Sequence, residues 1–254
     1  MLPTCPPRQL PAAAAPLARL LALDTSTEAL ALAVQADDAL HMYDGPGGAL
    51  GSAHLLPQAR RLLQHAGLPL SQLQAIAFGR GPGAFTGLRT SCALAQGLAL
   101  GAGLPVLPLD SLMIVAEGLR LAGAGAATEV DVVMDARMGE VYAGCYRWDG
   151  ARWLVDRAPA LLSLDGLHGA WSLQPPHCVV GSALAAFGDR LHSGPARRVD
   201  LEIDRARALM SLAQQCWRDA GGVDAAEALP LYLRDKVALT VAEREALRRA
   251  EAEA

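Results

Sequence analysis

The chain has 254 residues, 52% of them hydrophobic and 19% charged, with a formal net charge of −4. That length buries two modest cores or one large one, and that composition excludes a disordered chain. Without net positive charge, a protein that grips a phosphate backbone unaided is also excluded. No stretch reaches the roughly 18 apolar residues of a membrane helix, so no membrane contact and a cytoplasmic location are expected.

Residues 1–18 are rich in proline, contain no acid, and read as a disordered extension. Arg19–Leu23, Ala29–Val34 and Ala39–Tyr43 are short apolar runs separated by turn residues, the pattern of an antiparallel meander. A glycine-rich loop with Gly45, Gly47, Gly48 and Gly51 is predicted next. Leu55, Ala59, Leu62 and Ala66 then recur at helical spacing, with Gly67 as a stop. Pro57 must sit in the first turn of that helix or kink it. Ala75–Phe78 is a fourth strand, Thr86 to about Leu100 an apolar helix, Val106–Leu109 a fifth strand and Ser111–Leu121 a third helix.

The second half repeats this order. Val130–Met134, Glu140–Tyr146 and Arg152–Val155 read as strands, Cys178–Val180 as another, and Ala206–Trp217 as a helix. Each half opens with a strand ending in aspartate, Asp24 or Asp135. The order predicts an internal duplication of an α/β unit with helices on the faces of a mixed sheet. Pro230–Arg234 (PLYLR) closes the chain, and Thr240 with Glu243 predicts a capped final helix.

Few residues suggest chemistry. The five cysteines (Cys5, Cys92, Cys145, Cys178 and Cys216) and six histidines are scattered. Reduced thiols are expected, with no metal site from this chain alone. Asp24-Thr25-Ser26 could hold a phosphate or its magnesium ion, or could be a side-chain-capped turn. Gly79–Arg89 (GRGPGAFTGLR) opens a helix, where backbone amides favour an anion. It lacks the lysine and glycine spacing of a P-loop, so close packing or partner contact competes with phosphate binding. Thr86, Thr90, Ala93, Gly97 and Gly101 form a small-residue stripe that lets another helix approach closely, from this chain or another. No serine elbow or HExxH motif is present, and the adjacent His177 and Cys178 alternate across a strand rather than forming a catalytic pair.

LLALDTSTEALALAV, AFGRGPGAFTGLRTSCALAQGLALG, LPVLPLDSLM, DARMGEVYAGCY and PLYLR together resemble the TsaB (YeaZ) family, from about Leu20 to Val237. The resemblance implies an actin/Hsp70/sugar-kinase fold of two RNase H-like halves, here 19–109 and 110–230, with 231–254 as a closing segment and helix. It also implies a non-catalytic subunit, not an enzyme by itself. Its partner would be a TsaD-like subunit, which transfers a threonylcarbamoyl group to N6 of adenosine 37 in tRNA. A TsaE-like ATPase joins the pair, tRNA is met through the complex, and the chain alone forms a homodimer.

By the same resemblance the partner interface uses the two helices of the first half. Its residues would be Leu55, Ala59, Leu62, Ala66, Gly83, Phe85, Thr86, Arg89, Thr90, Ala93 and Gly97. The catalytic paralogue carries an HxxxH metal pair whose positions fall near Ser111 and Val115, neither a substitute for imidazole. No cofactor of its own is implied, and contact of Asp24, Thr25 and Ser26 with ATP or ADP completed at the partner junction is left open. A histidine common in relatives falls at Gly51, with His54 three positions on. Two other readings compete: a free-standing ATPase or kinase of the same fold, and a metallopeptidase, against which the missing histidines argue.

Overall fold

The computed structural model describes residues 16–123, 129–200 and 203–234. The final helix expected after Thr240, and most of the N-terminal extension, lie outside them. Strands β1 (Leu20–Asp24), β2 (Ala29–Ala36) and β3 (Ala39–Pro46) form the expected meander, and all five residues of β1 are buried. Helix α1 (Gly48–His65) follows, then β4 (Ala75–Gly81), helix α2 (Phe85–Ala102), β5 (Val106–Asp110) and helix α3 (Ser111–Leu121). The first sheet has the order β3-β2-β1-β4-β5, with β4 and β5 parallel to β1.

The second half contains β6 (Glu129–Asp135), β7 (Glu140–Trp148), β8 (Trp153–Ser163), helix α4 (Leu164–Leu173), β9 (Cys178–Val180), helix α5 (Ala183–Phe187) and β10 (Arg197–Val199). Its sheet, β8-β7-β6-β9-β10, repeats the order of the first strand for strand. The duplication inferred from element order is therefore present in the topology, and the fold is two RNase H-like halves in the actin-like arrangement.

Helix α6 (Arg205–Ala220) corrects the expected boundary at 110–230. Its Ala206, Leu209, Met210 and Ala213 share one core with Leu20, Ala22, Ala31, Ala33 and Leu107 of the first sheet. Val223 pairs with Val106, and Leu231 N donates to the Arg80 carbonyl at 2.7 Å. After β10 the chain thus returns to the first half. The other face of the first sheet is covered by α1 and α2, through Leu55, Ala59, Leu62, Cys92, Ala95 and Ala99.

The predicted glycine loop is also corrected. β3 runs to Pro46, and α1 begins at Gly48, which adopts a positive φ of 60°. Pro57 lies well inside α1 on its exposed side.

Candidate functional site

The strand-end turn Asp24-Thr25-Ser26 sits where the halves meet. Asp24 Oδ1 accepts from Ser26 N at 3.2 Å, and Ser26 Oγ donates to Asp24 Oδ2 at 3.0 Å. Thr25 Oγ1 donates to the Gly87 carbonyl at 2.6 Å. Arg205, at the start of α6, donates from Nε to Asp24 Oδ2 at 2.6 Å and from Nη2 to Ser26 Oγ at 2.9 Å. The three turn side chains are at most 2% exposed. These groups bond to one another and to Arg205, an internal cation, and Ser26 also lines the space between the halves.

The glycine loop is explained by the same turn. A Cβ on Gly79 would overlap the Asp24 carboxylate, one on Gly83 the Ser26 carbonyl, and one on Gly87 the Thr25 carbonyl. These glycines let β4, its loop and α2 close over the turn. Asp135 at the end of β6 repeats the device, its Oδ1 accepting from Arg137 N at 2.8 Å.

Between the halves lies a cleft of about 800 Å³, walled by Pro82, Phe85, Met134, Met138, Tyr142 and Tyr232 among others. The segment Pro230–Arg234 crosses it. Tyr232 packs on Phe85 with ring centroids 5.1 Å apart and accepts from Arg89 Nε at 2.9 Å. Arg234 bonds the Ala136 carbonyl at 3.0 Å and pairs with Glu140 at 2.6 Å. Arg137 reaches Glu28 across the gap at 3.1 Å. Three separate sequence segments, Gly79–Arg89, Asp135–Glu140 and Pro230–Arg234, therefore converge at one rim.

Two carboxylates join the halves, half-buried Asp110 and buried Glu117. Asp110 caps α3 through the amides of Leu112 and Met113 and accepts from Tyr146 Oη at 2.7 Å. Burial pushes Asp110 above the usual carboxylate range, against the hydrogen bonds of Tyr146 and the two amides, and also pushes the Tyr146 phenol up. Glu117 of α3 accepts from Arg120 at 2.7 Å, Trp153 Nε1 at 2.9 Å and Ser211.

Among the described residues, Glu129, Asp131 and Cys145 bring potential metal-ligand atoms together, which spacing did not reveal. Asp131 already pairs with Arg157 and accepts from Trp171 Nε1 at 3.0 Å. Desolvation and the nearby carboxylates raise Cys145 to about 12, so without a bound cation its thiol stays protonated. Arg157 supplies the cation here. Ser111 and Val115, at the HxxxH positions, are buried, and Ser111 Oγ accepts from Gly81 N at 3.0 Å.

The residues expected at a partner interface divide. Leu55, Ala59 and Leu62 lie in the chain's own core, which corrects them from contact to packing residues. Their spacing marks the inward face of an amphipathic helix. Ala66 is half-buried beside that core, Gly83 closes on Ser26, and Phe85 is half-buried against Tyr232. Thr86, Arg89, Ala93 and Gly97 are exposed and Thr90 is half-buried. A Cβ on Gly97 or Gly101 would meet nothing within 4 Å. No described part of the chain fills the small-residue stripe.

Two comparisons bear on the whole chain. A curated TsaB protein of Escherichia coli, a tRNA threonylcarbamoyladenosine biosynthesis protein, is 35% identical over 87% of this chain and 96% of its own. The chain belongs to the TsaB (YeaZ) family. The TsaB protein of Haemophilus influenzae is 32% identical over 86% of this chain and 94% of its own. YeaZ from Pseudomonas aeruginosa superposes with a TM-score of 0.75 at 36% identity, covering 85% of this chain and all of that one. Residues 51–178 also match the model of the TsaD family, tRNA N6-adenosine threonylcarbamoyltransferase. TsaB-family membership and a match to the transferase model thus meet in one chain.

Proposed function

We propose that the chain is a non-catalytic subunit in the biosynthesis of tRNA threonylcarbamoyladenosine, docking a TsaD-like transferase through the outward faces of α1 and α2. The observation that carries this reading is the open stripe of α2. Glycine in a helix interior costs about 1 kcal/mol relative to alanine, and among the described residues Gly97 and Gly101 have no neighbour that requires them. A closely approaching helix of another chain supplies that requirement. The family's curated members, named for threonylcarbamoyladenosine biosynthesis, supply the process. A TsaE-like ATPase and tRNA would join through the assembled pair, and the same face would pair two copies when the chain is alone.

Support for a non-catalytic role comes from Ser111 and Val115, which stand buried where the catalytic paralogue would hold its metal. The cleft keeps a free-standing ATPase as the second reading, and any ATP or ADP contact at the partner junction belongs with it. Against that reading, Arg205 occupies the Asp24 carboxylate.

The test mixes this chain with its TsaD-like partner, follows mass by light scattering, and assays threonylcarbamoyl transfer to tRNA with and without it. A heterodimer, with transfer that needs both chains, is expected. No complex, together with ATP turnover by this chain alone, would replace the reading with the ATPase.

A further inference from the structure

We propose that the α1–α2 face selects an acidic protein surface and discriminates by charge against a second copy of itself. This rests on the docking role proposed above and adds the chemistry of what docks. Between Asp44 and Asp110 the sequence holds no aspartate or glutamate, although the whole chain carries 26 acids against 22 lysines and arginines. Both helices of the face lie in that stretch.

Arg60 and Arg61 of α1 and Arg89 of α2 are exposed, and among the described residues none lies within ion-pair distance of a carboxylate. Elsewhere Arg19, Arg147 and Arg207 each find one, in Asp37, Asp156 and Asp204, while Arg190, Arg197, Arg198 and Arg218 are also outside ion-pair distance of the described carboxylates but lie in the acid-bearing remainder of the sequence. Arg89 stacks over Phe85 at 3.7 Å and donates to Tyr232 Oη. That holds the guanidinium in place without neutralising it. Acids do stand on neighbouring elements. Asp224 and Glu227 lie on the short turn beside Gln96, where Gln96 Nε2 bonds the Ala225 carbonyl at 3.1 Å. Glu28, near the start of α1, is held by Arg137.

An acidic partner would meet these cations with complementary potential, which speeds encounter and fixes register. A two-fold pairing of two copies presents the same patch to itself, so the arginines of each copy add like-charge repulsion. A nucleic-acid backbone fits less well. The same two helices also expose Leu56 and Leu100 and the small-residue stripe, which phosphates do not reward.

The experiment uses the full chain carrying Arg60→Gln and Arg61→Gln, both solvent-exposed sites, with circular dichroism to check the fold. Affinity for the TsaD-like partner and self-association are measured at low and high salt. Neutralisation is expected to weaken the heterodimer about tenfold and to strengthen the homodimer, with salt acting on the wild type in the same two directions. If both affinities are unchanged while Gly97→Leu still breaks the heterodimer, charge selection is overturned and the docking face stands. If Gly97→Leu also leaves pairing intact, the docking face itself is overturned, and this inference with it. Unchanged partner affinity with reduced tRNA binding by the complex would assign the arginines to RNA and overturn the inference.

Discussion

Arg205 donates to Asp24 at 2.6 Å across 181 positions of sequence, with both side chains almost wholly enclosed. The pair joins the first strand of the chain to the helix that closes over it. Breaking a buried pair leaves one charge without compensation, which costs about 3–5 kcal/mol. Arg205→Ala should lower the urea midpoint accordingly, and a loss under about 1 kcal/mol would show that the carboxylate finds another partner.

Gly87 and Gly97 lie in the same helix and should respond in opposite ways to alanine. At Gly87 the new methyl would overlap the Thr25 carbonyl, and the backbone must move. At Gly97 it meets open space, and the gain in helix propensity is about 1 kcal/mol. Thermal unfolding of the two variants, one below and one above the parent, checks this.

Asp110 gives stability a defined pH dependence. Its folded pKa is raised by burial, so the folded state holds its proton more tightly than the unfolded chain does. The contribution is fully present below the unfolded value of about 3.9 and is lost as pH rises through the raised folded value. Denaturant unfolding across mildly acid pH should show the parent gaining on Asp110→Asn as pH falls. Parallel profiles would remove the group from the account.

The Pro230–Arg234 crossing predicts coupling between distant segments. Removing the Arg234 side chain deletes its bonds to Glu140 and to the Ala136 carbonyl. A loss of about 1–2 kcal/mol is expected. Hydrogen exchange should speed up in the Asp135–Glu140 hairpin, where Arg137 and Met138 hold positive φ values of 64° and 57°. Faster exchange spread evenly over the protein would mean a general loss of stability instead.

Local patterns were legible in the sequence, and pairings across long separations were not. Apolar runs ending at Asp24 and Asp135 are local signals, and both strands lie where they indicate. The order of elements carried the repeated topology with almost no identity between the halves. Leu55, Ala59 and Leu62 show where periodicity stops: it marks an apolar face without saying which body covers it. The glycines at 45–51 read as a loop from intrinsic propensity, yet Gly48 and Gly51 lie in α1, where a Cβ on Gly51 would stand 3.8 Å from the Thr25 methyl. Arg205 carries no signal at all, because an arginine opening an amphipathic helix is ordinarily solvated.

The return of α6 to the first sheet has a consequence for synthesis. Strands β1 to β5 are complete by Asp110, but the helix that shares their core begins only at Arg205. On the ribosome the first sheet must therefore wait, one face uncovered, while the second half is made. A fragment ending near residue 110 should be sticky and poorly soluble, and the second sheet, whose Val130, Val132 and Tyr146 share that same core, cannot finish before α6 either.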